Sequence, residues 1–411
     1  REMVTITALA RAGKLALFVV LTIALTGCGG FLGGVFGGND DGDLTGLEWG
    51  SAAFGDVDGD GDLDLVLSGR NDARQSSATL YLNNGSGGFT PADAGFEGVT
   101  YLTGTALADL TGDGALDVVI IGGERLIGGT GTATAYFNDG SGGFSNAGAD
   151  LTGVYSGSLA TGDADGDGDT DLLIGGEDLD FQASTTLYLN DGSGSFSRGS
   201  TDFAGVFGSS SHFADVDRDG DLDLTVLGQG DRDQPTANVY LNNGSGAFTA
   251  ADSGLPAVLV VSTSLADVDG DGDLDMVVAG QDADYSPSAA LYLNDGSGMF
   301  SEATASLTAV DYGASTAFGD VDGDGDPDLV ITGPDQSEDP TATLYINDGN
   351  GAFTDAGADL MGVGKGSATF ADVDGDGDPD LLITGTASRN DPSATLYIND
   401  GSGNFTRAGG G

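Results

Sequence analysis

Lysine is almost missing from this chain of 411 residues, which carries it only at Lys14 and Lys365. With 12 basic residues against 65 acidic ones, the formal net charge is −53. Nucleic acid and anionic membrane surfaces are therefore excluded as partners, since both are recognised by Lys/Arg patches. A single cysteine, Cys28, rules out an intrachain disulfide, so stability must come from core packing and bound metal. A single histidine, His212, excludes a histidine metal site or a Ser-His-Asp triad in each part of a repetitive chain. The apolar run at 15–25 is 11 residues long, whereas a membrane-spanning helix needs about 20. Outside that run no segment shows a helical hydrophobic period.

What is present is a repeat. An Asp-rich nonapeptide recurs seven times, beginning at Asp56, Asp109, Asp163, Asp215, Asp267, Asp320 and Asp372, at intervals of 52 to 54 residues. The first copy, DVDGDGDLD, carries Asp56, Asp58, Asp60, Asp62 and Asp64. The third to fifth carry Asp163, Asp165, Asp167, Asp169, Asp171; Asp215, Asp217, Asp219, Asp221, Asp223; and Asp267, Asp269, Asp271, Asp273, Asp275. The last two carry Asp320, Asp322, Asp324, Asp326, Asp328 and Asp372, Asp374, Asp376, Asp378, Asp380. The second departs: Asp109, Thr111, Asp113, Ala115 and Asp117. The nonapeptides hold 33 of the 65 acids, so the remaining 32 still outnumber the bases. High charge can signal disorder. Here it alternates with apolar strands in a fixed period, which argues for a fold.

Each unit contains four short strand-like segments. In the first unit these are residues 51–54 before the Asp loop, 63–67 after it, 78–82, and a segment opening at Phe89. A tight turn, Asn83-Asn84-Gly85, joins the last two and recurs at Asn138, Asn190, Asn242, Asn294, Asn347 and Asn399. Asn-Gly and Asp-Gly favour positive φ and hairpins. Four strands per repeat of about 50 residues predict an all-β fold, a seven-bladed β-propeller of four-stranded blades over residues 44–407. Tyr81, Tyr136, Tyr188, Tyr240, Tyr292, Tyr345 and Tyr397 share one position. Phe89, Phe144, Phe196, Phe248, Phe300, Phe353 and Phe405 share another. Both rings are expected to pack between blades. The chain ends soon after Phe405, so the last unit is expected to complete its own outer strand. Closure then rests on side-chain packing of the last unit on the first, helped by residues 43–50.

Oxygen ligands at alternating positions suit a hard cation, and Ca²⁺ takes six to eight oxygens. Positions 1, 3, 5 and 9 of the loop can offer carboxylates and position 7 its carbonyl, while glycine at position 6 allows the sharp turn. Without a cation the converging carboxylates repel. Solvated acidic turns are the bland alternative. An EF-hand is a rival reading, but Leu67 stands where its bidentate glutamate belongs and a strand replaces its exit helix. Mg²⁺ usually keeps several waters and is disfavoured. Up to seven Ca²⁺ are expected, with the weakest site in the second unit, which lacks a carboxylate. Arg218 beside the fourth loop reads as a minor electrostatic change.

The DxDxDGxxD loops, preceded by Phe54-Gly55, Phe213-Ala214, Phe318-Gly319 and Phe370-Ala371, resemble the FG-GAP/VCBS repeats of the integrin-α-type β-propeller. The resemblance implies Ca²⁺ loops between strands one and two on one face. It also implies roles ranging over adhesion, lectin-like sugar binding and polysaccharide degradation.

At the amino terminus, Arg1, Arg11 and Lys14 precede the apolar run, and Leu25-Thr26-Gly27-Cys28 follows the lipobox pattern. Residues 1–27 read as a lipoprotein-type signal and Cys28 as the lipidated first residue of the mature chain. Ordinary signal cleavage is the alternative. Residues 28–43 read as a Gly-rich tether. The protein is thus expected to be secreted and held to the cell envelope, touching membrane only through Cys28, and monomeric. Trp49, Tyr101, Tyr155, Phe207, Leu259, Tyr312 and Lys365 lie just ahead of strand one of their units. They are expected either to plug the axis or to ring its mouth as a binding surface for a glycan or protein. Variable loops join strands two and three at 70–74, 178–181, 231–234 and 282–285. No catalytic group is expected, and His212 beside Phe213 reads as structural. A polysaccharide lyase or hydrolase and a structural envelope protein remain the alternatives.

Overall fold

The computed structural model describes residues 44–101, 103–123, 131–387 and 391–408. Among the described residues there are 28 β-strands and one 3-10 turn, Asp231–Asp233. The strands fall into consecutive sets of four. In the first, β1 (Leu47–Gly55), β2 (Asp64–Asn71), β3 (Ser76–Asn83) and β4 (Phe89–Ala92) pair antiparallel in chain order. The same order repeats to the final strand, Phe405–Arg407.

Burial falls from the inside of each set outward, and composition follows. The first four residues of β2, Asp-Leu-Val-Leu, are buried on both faces, as expected for a strand sandwiched between neighbours. In β3 only the second half is buried, and β4 is short with two exposed residues. First strands are rich in Gly, Ala, Ser and Thr because they converge. Each touches the first strand of the next set, and that of the last set (Gly364–Ala371) touches β1. Their contacts are made through hydroxyls. Ser51 Oγ accepts the Thr105 N–H at 3.2 Å, and Ser210, Ser262 and Ser315 accept those of Thr263, Thr316 and Ala368. The sheets thus surround a common axis, the arrangement of a β-propeller.

The core lies between sets. Ala53, Val66 and Leu80 of the first pack with Leu107, Ile120 and Tyr136 of the second, and equivalent clusters fill the following junctions. All seven tyrosines of the repeat are buried. The hydroxyls of Tyr136, Tyr188, Tyr240, Tyr345 and Tyr397 accept backbone N–H groups of the connectors entering their own sets.

Closure follows the same rule. Tyr81 accepts the N–H of Thr45, so the residues ahead of β1 act as one more connector. At most junctions a residue of the third strand bridges to the entry of the next first strand, as Ser77 does to Val99 and Thr341 to Val363. Leu47 bridges to Ser393 in the same way, joining first and last sets. Leu47, Trp49 and Leu65 pack with Val373, Leu382 and Leu396. Closure therefore has backbone pairing as well as the side-chain packing expected of it. The last set does complete its own outer strand, with Phe405–Arg407 pairing Pro392–Asn399.

Candidate metal loops and the opposite face

Every Asp loop joins strands one and two of its set, and every Asn-Asp-Gly or Asn-Asn-Gly turn joins strands three and four. Antiparallel order puts both at the same end of the sheet. In the first set, Asp56 at position 1 accepts the N–H groups of Gly59 (2.7 Å) and Gly61 (3.1 Å). Asp58 at position 3 accepts the N–H of Asp60, and Asp60 that of Asp62. Gly61 has φ 98° with open space where a Cβ would stand, so it is conformation rather than crowding that demands glycine there.

Position 9 does more than the sequence suggested. Asp64 is fully buried, and its two oxygens accept the N–H of Val57 at 3.0 Å and of Asn83 at 2.9 Å. Asn83 in turn donates to Leu63 O in its own loop and to Val373 O in the neighbouring loop. Asp117, Asp171, Asp223, Asp275, Asp328 and Asp380 make the same clamp with Asn138, Asn190, Asn242, Asn294, Asn347 and Asn399. The asparagine reads in sequence as a turn former; in the fold it stitches adjacent Asp loops. Its fixed place in every repeat was the signal for that role.

The carboxylates converge. Ligand atoms of Asp56, Asp58 and Asp64 lie within 4.8 Å of one another, as do those of Asp163, Asp165 and Asp171, of Asp215, Asp217 and Asp223, and of Asp320, Asp322 and Asp328. In the fifth set Asp267, Asp269 and Asp271 converge. Burial, with lesser repulsion from neighbouring carboxylates, pushes Asp64 and Asp117 up to about 6. The same causes push Asp171, Asp223, Asp275, Asp328 and Asp380 up to about 7. Burial and the adjacent position-5 carboxylate also raise Asp58, Asp165, Asp217, Asp322 and Asp374. Among the loop carboxylates, Asp165 Oδ1 and Asp215 Oδ1 are buried with no hydrogen-bond partner, as is Asp273 Oδ1, which faces the Arg218 guanidinium. In the second set the same is true of the Thr111 hydroxyl. Such oxygens are costly unless something pairs them, and these residues can hold a metal ion.

The position-7 side chains lie apart from the groups that converge. Asp62 and its counterparts rest on the turn glycines Gly85, Gly192, Gly244, Gly296, Gly349 and Gly401, where a Cβ would collide with them. That leaves position 7 its carbonyl as the group to offer.

On the opposite face the expected mouth ring divides between two backbone positions. Trp49, Tyr101 and Lys365 adopt left-handed φ of 55–57°, and Ser156, Gly208 and Gly313 in other sets are left-handed too, at 50°, 53° and 79°. Tyr155, Phe207 and Tyr312 precede that position by one. The offset is one of spacing: Trp49 and Lys365 stand seven residues ahead of their loops and Tyr155, Phe207 and Tyr312 eight, while the strands of Trp49, Tyr155, Phe207 and Lys365 carry a bulge at the same place, and one residue's shift sends a side chain to the other face. Trp49, Tyr155 and Leu259 are buried, at 1–2% exposure, so of the two arrangements expected for the ring these three side chains are packed and present no open stacking face. Trp49 stacks on Tyr101 at 6.3 Å, and Lys365 Nζ lies 5.1 Å from the Trp49 ring centre. Arg70 donates to Glu48 and to the Tyr101 hydroxyl, both at 2.8 Å. Tyr101, Phe207, Tyr312 and Lys365 remain half-buried. Outside the ring, Leu179, Phe181 and Tyr285 in the strand two-to-three loops are exposed, and Phe181 stacks on Tyr155 at 5.9 Å. Cys28 and the segment 1–43 lie outside the described residues. Among the described residues no helix is long and apolar enough to cross a membrane.

Comparison with solved structures finds the BP39L lectin of Burkholderia pseudomallei, 10% identical over 89% of this chain and 96% of that one, with a TM-score of 0.53. An Agrocybe aegerita lectin specific for non-reducing terminal N-acetylglucosamine matches at 18% identity, 88% and 80% coverage and a TM-score of 0.40. A Trypanosoma rangeli sialidase matches at 11% identity, 86% and 54% coverage and a TM-score of 0.39. At such identities the first shows the fold alone. The model of the FG-GAP-like repeat matches residues 56–120, 163–226, 215–278, 267–331 and 320–383, more than half of the chain and including the Asp loops. The clamped acidic loops, recurring at one end of successive four-stranded sheets, are the structural form of that match, and the chain belongs to the FG-GAP-like repeat family of β-propellers.

Proposed function

We propose that this chain is a calcium-binding, seven-bladed β-propeller that acts without catalysis and recognises an extracellular glycan or protein on the face opposite its Asp loops. The observation that carries the calcium reading is the pair of buried, unpartnered carboxylate oxygens of Asp165 and Asp215 among converging acids. The donor set is oxygen only, as a hard cation requires. Positions 1, 3, 5 and 9 with the position-7 carbonyl would hold it, and the position-9 oxygens keep a second lone pair beyond the clamp. When bound, calcium supplies the positive charge that offsets the crowded carboxylates. In the second set the Thr111 hydroxyl replaces one carboxylate, which makes that loop the weakest.

Support for partner recognition lies at the other end of the sheets. There the regular repeat gives way to half-buried Tyr101, Tyr312 and Lys365 and to exposed Phe181 and Tyr285. Aromatic faces beside polar loops suit sugars or peptides, and the lectins among structures of similar fold make a sugar the first partner to test. The protein is secreted and held to the envelope through lipidated Cys28; Cys28→Ser should release it from membranes.

His212 favours the non-catalytic reading. Its Nε2 sits 2.9 Å from Thr263 O and Thr263 Oγ1 and 3.1 Å from Ser210 Oγ, and burial holds the ring down to about 4, neutral at ordinary pH. A polysaccharide lyase or hydrolase would need His212 or Lys365 set against carboxylates in an open cleft.

The test is a glycan-array screen with calcium and with EDTA. Calcium-dependent binding to a defined sugar, lost in Tyr101→Ala, supports the reading. Binding that survives chelation sinks the calcium dependence. Silence under both conditions turns the search to protein partners from envelope extracts and raises the structural alternative. Turnover of a bound polysaccharide would overturn the non-enzymatic reading.

A further inference from the structure

Position 4 of the Asp loop is glycine in six copies: Gly59, Gly112, Gly166, Gly270, Gly323 and Gly375. In each of these its N–H donates to position 1, from Gly59 to Asp56 through to Gly375 to Asp372. The fourth copy has Arg218, held at φ 62°. Two consequences follow from that one side chain.

Within its own loop, Asp215 still accepts the Gly220 N–H, but its Oδ1 is buried without a partner. In the next loop the guanidinium arrives as a ready-made cation. Arg218 Nη2 donates to Asp271 O at 2.7 Å, Nε donates to Gly272 O at 3.2 Å, and Nε lies 2.5 Å from Asp273 Oδ1. Asp271, Gly272 and Asp273 are positions 5, 6 and 7 of the fifth loop. The corresponding space between the sixth and seventh loops is a cavity of about 290 Å³, lined by Asp320, Asp324, Gly377 and Asp378. Arg218 thus fills from within a gap that another junction leaves open to solvent.

We propose that Arg218 is an affinity-setting residue that makes the fourth and fifth loops unequal toward a divalent cation. It lowers the affinity of the fifth loop by placing a fixed positive charge on the segment that carries the position-7 carbonyl. It leaves the fourth loop with an unpaired oxygen on Asp215, free to serve as a ligand. A unit charge a few ångströms from a divalent site at a protein surface changes its affinity by about tenfold or more. The inference rests on the calcium reading of the loops.

The test counts tightly bound Ca²⁺ by native mass spectrometry and isothermal titration, using the full chain and three variants. Arg218→Gly restores the residue of the other six loops, and Arg218→Asn, which tolerates positive φ, guards against a folding artefact. Asp269→Asn disables the fifth loop. The expected result is that Asp269→Asn alone removes no tight ion, that Arg218→Gly and Arg218→Asn each add about one, and that adding Asp269→Asn to Arg218→Gly takes it away again. Loss of a tight ion from Asp269→Asn in the otherwise unchanged chain would overturn the proposal, as would no gain in either Arg218 variant. A chain that binds no Ca²⁺ at all would defeat the calcium reading itself and this proposal with it, an outcome distinct from the other two.

Discussion

The two ends of the sheets solve different problems with the same strands. At the Asp-loop end the sets repeat one hydrogen-bond pattern: position 1 caps two glycine N–H groups in every set but the fourth, position 9 clamps its own loop to the strand-three turn, and the turn asparagine reaches the neighbouring loop. At the opposite end the corresponding left-handed position holds Trp49, Tyr101, Ser156, Gly208, Gly313 or Lys365. Bulky side chains at positive φ cost about 1–3 kcal/mol each, and three such residues stand in the adjoining last, first and second sets. Regularity at one end marks what every set needs for assembly. Irregularity at the other marks where one set is free to differ from the next, which is where selection for a partner can act.

That contrast is sharpest in position-9 and loop-tip substitutions made side by side. Asp171→Ala leaves the buried N–H groups of Ala164 and Asn190 without acceptors. It should cost about 3 kcal/mol in denaturant unfolding, whereas Phe181→Ser on an exposed loop should stay within about 0.5 kcal/mol. Equal losses would abolish the distinction between the two ends. Removal of calcium should follow in size. A site at 100 times its Kd contributes about 2.7 kcal/mol, so excess EDTA should lower the melting temperature and added Ca²⁺ restore it. An unchanged melting curve would break the metal reading of the regular end.

Acidity offers a smaller effect with a definite sign. The position-9 carboxyls are pushed up to about 6 or 7 by burial, above the ordinary unfolded value near 3.8. Between those values the folded chain binds protons that the unfolded chain has released, so metal-free stability falls as pH rises from about 4 to 7. In EDTA the melting temperature should therefore climb on acidification from pH 7.5 to 5. In excess Ca²⁺ the trend should flatten or reverse, because the cation needs the ionised form. A metal-free protein that loses stability over that acid range would contradict the burial of these groups. The mildest change is Lys365→Met at the irregular end. It should weaken a carbohydrate or peptide partner about tenfold, some 1.4 kcal/mol, and leave calcium stoichiometry unchanged.

Much of the fold was legible because the repeat is written seven times. Strands, hairpin turns and acidic loops each leave local marks, from alternation to Asn-Gly pairs and glycine at position 6. The Tyr ring was rightly placed in the core, since one aromatic at one register in every unit has to meet the neighbouring sheet. The mouth residues were less legible. Trp49 stands seven residues ahead of its loop and Tyr155 eight, and only the bulge that both strands share at that place gives this one residue its meaning for which side each faces. Arg218 was visible in sequence only as a departure from glycine; its reach into the fifth loop depends on how two sets sit together.

The sequence by itself determined the all-β repeat, the unit length, the acidic loops and the oxygen-only donor set, because those follow from local spacing and side-chain chemistry. Tertiary structure alone decided three further points. Thr45 and Leu47 serve as the connector that ties the last set to the first. The position-9 carboxylates hold the loops together as well as converging in them. Arg218 belongs to its neighbour's loop. Leu47 and Arg218 reach across a junction between sets, and the position-9 carboxylate joins its loop to the third strand of its own set; all three depend on how whole strands and sheets pack rather than on the order of residues along one strand.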